Sequence, residues 1–243
     1  STRIDVDFSE KSSLLGIFNY NKEDNLRPDA DTTKFTTTPG VTQSSTNKQF
    51  TMAYRRTITS NLLTEFRGGV FTSEVPFDRT DEIPAYFLTT PLVTFPENTF
   101  MSQGRNTKSF NYQSNSDFVM GNHTFRFGGQ LQFFKVNAYI DAGIVPTITV
   151  GTGAGTPAFT TASFSTAGGI STSQLSTANG LMALLGGLYT TAAQSFNVNS
   201  IAEGYSASRP IEPIRYNNHS LYFSDRWLAA KGLTLSLGVR DEL

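Results

Sequence analysis

The sequence predicts an all-β protein, an antiparallel up-and-down transmembrane β-barrel segment of about eight strands with short periplasmic turns and long extracellular loops. Three observations carry this. Apolar and polar residues alternate over stretches of about ten residues, the period of a strand with one greasy and one wet face. Short turns and long loops alternate along the whole chain, which places every long connection on one rim. Aromatic residues gather toward strand ends, as an interfacial girdle requires.

The first strand, Thr2 to Phe8, sets Ile4, Val6 and Phe8 against Arg3, Asp5 and Asp7. After the polar turn Ser9–Ser12, Ser13 to Tyr20 carries Leu14, Phe18 and Tyr20 in phase, with Leu15 and Ile17 making its other side apolar too. A polar loop at about 21–47 follows, broken by Pro28, Pro39 and Gly40. Lys48 to Ile58 places Phe50, Met52, Tyr54 and Ile58 opposite Gln49, Thr51, Ala53, Arg55 and Thr57. Arg56 falls in its greasy phase near the strand end, where a long side chain reaches water. Beyond Thr59-Ser60-Asn61, Leu62 to Thr72 sets Leu62, Phe66 and Val70 against Glu65 and Arg67. The loop at about 73–106 is spaced by Pro76, Pro84, Pro91 and Pro96, which argue against a central strand there.

Thr107 to Phe118 offers Phe110, Tyr112 and Phe118 against Asn111, Gln113, Asn115 and Asp117. Met120-Gly121-Asn122 turns the chain into His123 to Tyr139, with Phe125, Phe127, Leu131, Phe133 and Tyr139 opposite Thr124, Arg126, Gln130 and Gln132. The longest loop, about 140–216, holds one expected helix, Thr177 to Tyr189, in which Leu181, Leu184, Leu185 and Leu188 repeat at helical spacing and Thr177 would cap. The last hairpin runs from Asn217 to Arg240 around Ala229-Ala230-Lys231-Gly232. Its greasy side carries Leu221, Phe223, Trp227, Leu233, Leu235, Leu237 and Val239. Asp225 shares that phase, which calls for a bulge or an interfacial position.

Composition narrows the function classes. Charged residues are 16% of the chain, against an average of about 25%. With a net charge of −1 there is no electrostatic case for nucleic acid. Without cysteine there are neither disulfides nor thiolate metal sites. The chain opens directly in strand-like alternation, with no signal peptide in view. The longest apolar run, Leu181 to Tyr189, is interrupted by Gly186 and Gly187 and is too short for a spanning helix. A membrane-spanning β-protein would show no such run either.

The chemistry-bearing residues form no catalytic set, and the expectation is a protein that is not an enzyme and takes no cofactor. Gly151 to Thr156 is glycine-rich but lacks the lysine of a phosphate loop and is followed at once by Pro157, so it reads as a flexible loop. The two histidines, His123 and His219, are expected near the rims; His219 and its neighbour Ser220 point to opposite faces of a strand, which rules out a triad with Asp225. Glu23, Asp24, Asp29 and Asp31 lack EF-hand spacing and read as a solvated acidic loop. Arg3, Asp5, Asp7, Glu65, Arg67, Arg126 and Arg240 all fall in the polar phase and are the candidate lumen-facing charges, expected to pair with one another or with whatever fills the lumen, contact with substrate being the minor role. Tyr20, Tyr54, Tyr112, Phe118 and Trp227 are the candidate interfacial aromatics. The loops at 73–106 and 140–216 are the better places for ligand capture.

Several segments also resemble one family. Asn218 to Trp227 with Leu233 to Arg240, Gly121-Asn122-His123-Thr124-Phe125-Arg126-Phe127-Gly128-Gly129, Leu62-Leu63-Thr64-Glu65-Phe66-Arg67-Gly68-Gly69 and Ala178 to Gly186 occur in the order seen in TonB-dependent transporters, most similar to the Oar-like group. The resemblance implies a transmembrane barrel of about 22 strands in the cell outer membrane, contacting lipid on its outside. It further implies a plug domain, a TonB-type energising protein as partner, and an unknown cargo moved across the membrane. Residues 1–243 then read as an internal part of that barrel: no plug is visible, and Asp241-Glu242-Leu243 lacks the terminal aromatic such barrels usually end on. The alternative is a structural or adhesive barrel whose long loops bind a surface partner.

Overall fold

The computed structural model describes residues 1–31 and 39–243. Eight long strands form one antiparallel sheet: β1 (Thr2–Ser9), β2 (Ser12–Leu26), β3 (Val41–Thr59), β4 (Leu62–Arg79), β6 (Gln103–Met120), β7 (His123–Ile140), β10 (Ile211–Ala230) and β11 (Leu233–Glu242). They pair in the order β1-β2-β3-β4-β6-β7-β10-β11, an up-and-down meander with β1 and β11 as its two edges. Three short strands, β5 (Phe87–Thr89), β8 (Thr147–Val150) and β9 (Tyr189–Ala193), make a second sheet within the connections.

The sheet is a single layer with its apolar face turned outward. Register carries the greasy phase across strands without a slip: Leu14 faces Tyr54, Tyr54 faces Phe66, and Phe66 faces Ser114. Further along, Phe118 faces Phe125, Phe127 faces Phe223, and Phe223 faces Val239. These side chains are not a core. Leu221, Leu237 and Val239 are about two-thirds exposed at 68%, 67% and 68%, and Phe18, Phe50, Met52, Phe66 and Tyr112 are also exposed. The buried apolar residues among those described are Val41, Ala53, Phe87, Val145 and Ala183, far too few for a water-soluble domain of this size. Two polar residues on the greasy phase satisfy each other: Thr64 and Ser116 are buried and share a hydroxyl hydrogen bond of 3.0 Å.

Four two-residue turns close one rim: Glu10-Lys11, Ser60-Asn61, Gly121-Asn122 and Lys231-Gly232. Three of these hairpins carry a register shift beside the turn, at Asp7/Ser9, Thr57/Thr59 and Leu228/Ala230. The fourth has Gly121 at its first turn position with φ 59° and closes without a shift. A positive φ there matches the right-handed twist of the strands, and where it is lacking a bulge takes up the mismatch. The first three turns are also stitched to the next hairpin: Thr57 N–H donates to the Lys11 carbonyl, Val119 N–H to Asn61 and Leu228 N–H to Asn122, at 2.8, 2.9 and 2.8 Å.

All three long connections leave from the opposite rim, but the strands run further toward it than alternation alone suggests. β2 continues to Leu26 and β3 begins at Val41, so the connection expected at 21–47 spans 27–40; residues 32–38 of it lie outside the described residues. β4 continues to Arg79 and β6 begins at Gln103, and β10 begins at Ile211. Strands of 18 to 20 residues, such as β4 and β10, exceed what a bilayer needs, so their ends stand in water. There, both faces meet the same solvent and backbone pairing persists without hydrophobic contrast. Pro76, expected to exclude a strand, lies within β4: it keeps Gly104 of β6 as partner, while the β3–β4 pairs skip from Gln43↔Phe77 to Thr46↔Glu74. The ladder opens where the missing N–H would have bonded.

The expected helix also moves. Helix α1 runs Thr172–Gly186, starting before Thr177 and stopping short of Tyr189. Ser171 is its N-cap and forms a capping box with Gln174, while Gly187 ends it at φ 64°. Thr177 sits inside and donates its hydroxyl to the Ser173 carbonyl at 3.1 Å.

Candidate functional site: the polar face and the loop cap

The polar face is a continuous field of hydroxyls, amides and paired charges. Register places Arg3, Asp5, Asp7, Glu65, Arg67, Arg126 and Arg240 on that one face, opposite the greasy phase. Most of them pair locally. Arg3 holds Asp5 with two hydrogen bonds of 2.7 and 2.9 Å, Glu65 meets Arg67 at 2.6 Å, Arg126 meets Asp117 at 2.8 Å, and Arg240 pairs with Glu242. Asp7 forms no ion pair among the described residues. Strand geometry explains the habit, because residues i and i+2 share a face and stand close enough for long side chains to meet.

Between these pairs lies an amide lattice. Asn19 bonds Gln49 at 3.5 Å, Gln130 bonds Asn111 at 3.4 Å, and Gln113 bonds Asn115 at 3.4 Å. Tyr222 crosses Gly128 to donate its hydroxyl to Asn115 at 2.8 Å. A Cβ at Gly128 would stand 2.1 Å from the Ser114 carbonyl and 2.8 Å from the Tyr222 ring, so only glycine allows that crossing. A hollow of about 330 Å³ lies mid-face, lined by Gln49, Thr51, Arg67, Gln113, Gln132 and Phe134. Its walls offer donors and acceptors without a nucleophile–base pair, so it suits hydrated polar contacts.

The five candidate aromatics all fall on the greasy phase, at different heights. Phe118 stacks on Phe125 at 6.2 Å, and Trp227 stacks on His123 at 5.4 Å, both beside the turns. Tyr54 faces Leu14 and Phe66. Tyr20 and Tyr112 lie inside their strands, because β2 and β6 continue well past them.

Sequence reasoning treated His123 and Asp225 separately, and the structure joins them. Trp227 faces His123 and Phe125 faces Asp225 across the β7–β10 ladder. His123 Nδ1 lies 2.7 Å from Asp225 Oδ2, with side chains 34% and 17% exposed. The imidazole is sandwiched between Phe125 at 5.5 Å and Trp227 at 5.4 Å, with nearly parallel planes. Asp225 Oδ1 is buried without a hydrogen bond. The greasy-phase carboxylate is thus held by an imidazole near the turn rim, rather than by a bulge at its own position. No single-strand pattern could show a pairing across 102 residues.

The connections pack into a cap over the other rim. β5 pairs parallel with β8, and β8 pairs antiparallel with β9, so the second and third long connections share one sheet. The first and second are joined at Gly40: its N–H donates to Asp31 at 2.6 Å, its carbonyl accepts from Thr80 N–H at 2.9 Å, and a Cβ there would strike Asp81. Asn98, 1% exposed, donates to Asp81 at 3.1 Å and accepts from Phe100 N–H at 3.0 Å. Arg79 donates to the Glu82 carbonyl at 2.8 Å and also to the Asn98 carbonyl.

The third connection is clipped at its end. Arg209 grips Asp141 with two bonds of 2.8 and 2.7 Å and lies over the Tyr139 ring at 4.1 Å. The hydrogen-bonded Asp141 carboxylate raises the Arg209 pKa above its ordinary value. A cleft of about 500 Å³ opens in the cap, lined by Phe87, Leu88, Phe100, Met101, Ile140 and Val145. The Gly151–Thr156 tract turns on itself through Gly153 and Thr156, and Pro157 to Thr160 separate it from the short 3-10 helix at Thr161–Ala167, so it does not form the N-terminus of a phosphate-receiving helix.

The acidic residues near the first connection are engaged by their neighbours. Asp24 accepts from Ser44 at 2.6 Å and pairs with Lys22, and Asp29 is forked by Arg27 at 2.8 and 2.6 Å. Among the described residues no group of three His, Cys, Asp or Glu side chains converges as a metal site would.

An outward apolar face, a polar inner face, short turns on one rim and long loops on the other define a membrane-spanning β-barrel wall. The family model described as "Outer membrane beta barrel domain" matches residues 1–243, so the chain belongs to that family and its place is the outer membrane. Solved structures similar to it include the outer membrane transporter YddB from Escherichia coli, at 11% identity and a TM-score of 0.49 over 99% of this chain and 26% of that one. Another is BauA, the ferric preacinetobactin receptor from Acinetobacter baumannii, at 9% identity and a TM-score of 0.42 over 96% of this chain and 31% of that one. The chain therefore spans about a quarter to a third of these proteins. No curated protein matches it.

Proposed function

We propose that this chain supplies wall and loops to a TonB-dependent outer-membrane transporter of the Oar-like kind. Further strands would continue from the β1 and β11 edges and enclose a plug. The single observation that carries the reading is the polar face, where paired charges and amides form a hydrated surface with a hollow instead of a packed interior. Such a face fits a plug or a passing cargo, and the loop cap would meet that cargo first. The chain contributes binding surface and no catalysis. A TonB-type protein would supply energy by acting on the plug.

The packed loop cap also supports a second reading, a barrel whose cap docks a surface partner and moves nothing. Planar-bilayer recording on the full-length natural protein separates the two. A plugged transporter holds a low conductance that rises reversibly to a wide channel when urea unfolds the plug. A barrel that stays closed under urea, its fold intact, overturns the transport reading.

A further inference from the structure

One cross-strand row on the outward face is basic. Tyr20 faces Lys48, Lys48 faces Thr72, Thr72 faces Lys108, Lys108 faces Lys135, and Lys135 faces Arg215. All lie in the phase that carries the apolar residues, and the four cations are exposed. The row beneath them is Phe18, Phe50, Val70, Phe110 and Phe133. Lys108 leans over the Phe110 ring at 5.3 Å, which holds its ammonium at the edge of the aromatic band.

Height fixes what this row meets. Lys48, Lys108 and Lys135 each stand roughly 11 or 12 residues from their turns, and a strand tilted about 45° climbs some 2.3 Å per residue. That puts them about 25 Å above the turn rim, at the far edge of the hydrocarbon band and on the loop side, which is the outer leaflet.

The row is short of anions. Lys108 and Lys135 are directly opposed, as are Lys135 and Arg215, and directly opposed like charges destabilise a sheet. None of the four forms an ion pair among the described residues. Glu74 is the one acid set diagonally to Lys48 and Lys108 on this phase, while Lys22 nearby is already matched by Asp24. Below the aromatic row the wall thins at Gly68 and Gly129. An open trough of about 690 Å³ lies there, lined by Met52, Phe66, Tyr112, Leu131 and Leu221.

From this arrangement we infer that the outward face is a binding site for a phosphorylated lipid of the outer leaflet. Lys48, Lys108 and Lys135 take its phosphates, Arg215 reaches from above, and an acyl chain lies in the trough. Phosphate oxygens supply the negative charge that the opposed cations lack.

The test uses the full-length natural protein in detergent, with bisphosphorylated lipid A, its dephosphorylated form and inorganic phosphate as separate probes. Retention is read by native mass spectrometry and by the thermal unfolding midpoint. The natural protein should retain the bisphosphorylated lipid at least tenfold better than the dephosphorylated one. The K48Q/K108Q/K135Q variant should lose that preference, and the matching Lys→Arg variant should keep it. Without lipid, the glutamine variant should unfold at the same midpoint or higher, since opposed charges are gone. Where the triple variant fails to assemble, Lys108→Gln and Lys135→Gln alone should each cost twofold or more in preference. Equal retention of the two lipids, glutamine variants that keep the preference, or inorganic phosphate stabilising as well as the lipid would each overturn the inference.

Discussion

The two rims of this sheet solve opposite problems. The turn rim ends abruptly: connections are two residues long, and the space beside them is filled by flat rings stacked on the lipid side, Phe118, Phe125, His123 and Trp227. The loop rim carries a second layer, with its own sheet, a capped helix and buried polar groups such as Asn98. At the first rim stability comes from rings and one imidazole–carboxylate contact facing lipid; at the second it comes from hydrogen bonds facing water. Substitutions should therefore act globally at the turn rim and locally at the loop rim.

The sharpest way to break that contrast is His123→Ala. Removing the imidazole leaves the Asp225 carboxylate uncompensated on the lipid side, which should cost about 2 to 3 kcal/mol of barrel stability, less than a fully buried pair because both side chains keep some exposure. Urea unfolding of the full-length protein in detergent measures it, and H123A/D225L should recover much of the loss. Gly128→Ala comes next, at about 2 kcal/mol, because its Cβ would collide with the Ser114 carbonyl and displace Tyr222 from Asn115.

At the loop rim Arg209→Ala should cost about 1 kcal/mol locally, since the fork onto Asp141 is part-buried and solvent screens it. Its readout is faster protease cleavage between residues 141 and 210 with an unchanged global unfolding midpoint; an equal fall in both would erase the distinction between the rims.

Acid sharpens the same comparison. The Arg27 fork lowers the Asp29 pKa from 3.8 to about 2. Its contribution is complete above the ordinary value and is lost as pH falls from about 4 to about 2. Hydrogen exchange of the turn at Arg27 to Asp31 should rise across that window and be insensitive to it in Asp29→Asn. Smallest of all, Arg3→Ala should leave the unfolding midpoint unchanged, because Arg3 and Asp5 are both fully exposed.

What the sequence discloses follows the same division. Wherever a strand separates oil from water, the contrast is written residue by residue, and Leu62 to Thr72 or Leu233 to Arg240 could be read directly. Where strands stand clear of the membrane the contrast disappears, so Lys22 to Leu26 and Val41 to Asn47 look like loop although their backbones are paired. The polar phase of Arg67 and Arg126 was legible from spacing, but their partners depend on packing: Glu65 is a neighbour in sequence, whereas Asp117 comes from the adjoining strand. His123 with Asp225, and Arg209 with Asp141, could not be found by inspection, since nothing local in Ser-Asp-Arg or Ser-Arg-Pro signals a distant partner. The helix start was misplaced for a simpler reason. Ser171 with Gln174 is a capping box that precedes the leucine repeat, and the eye follows the leucines.

The parallel pairing of β5 with β8 sets an order of events. Membrane strands pair across two-residue turns, but β5 and β8 stand on either side of β6 and β7 in sequence and meet only across that larger loop. Until β8 docks, that edge is bare, open to whatever chaperone or stray strand arrives first. Completion of the crown therefore reports that the wall beneath it has been built.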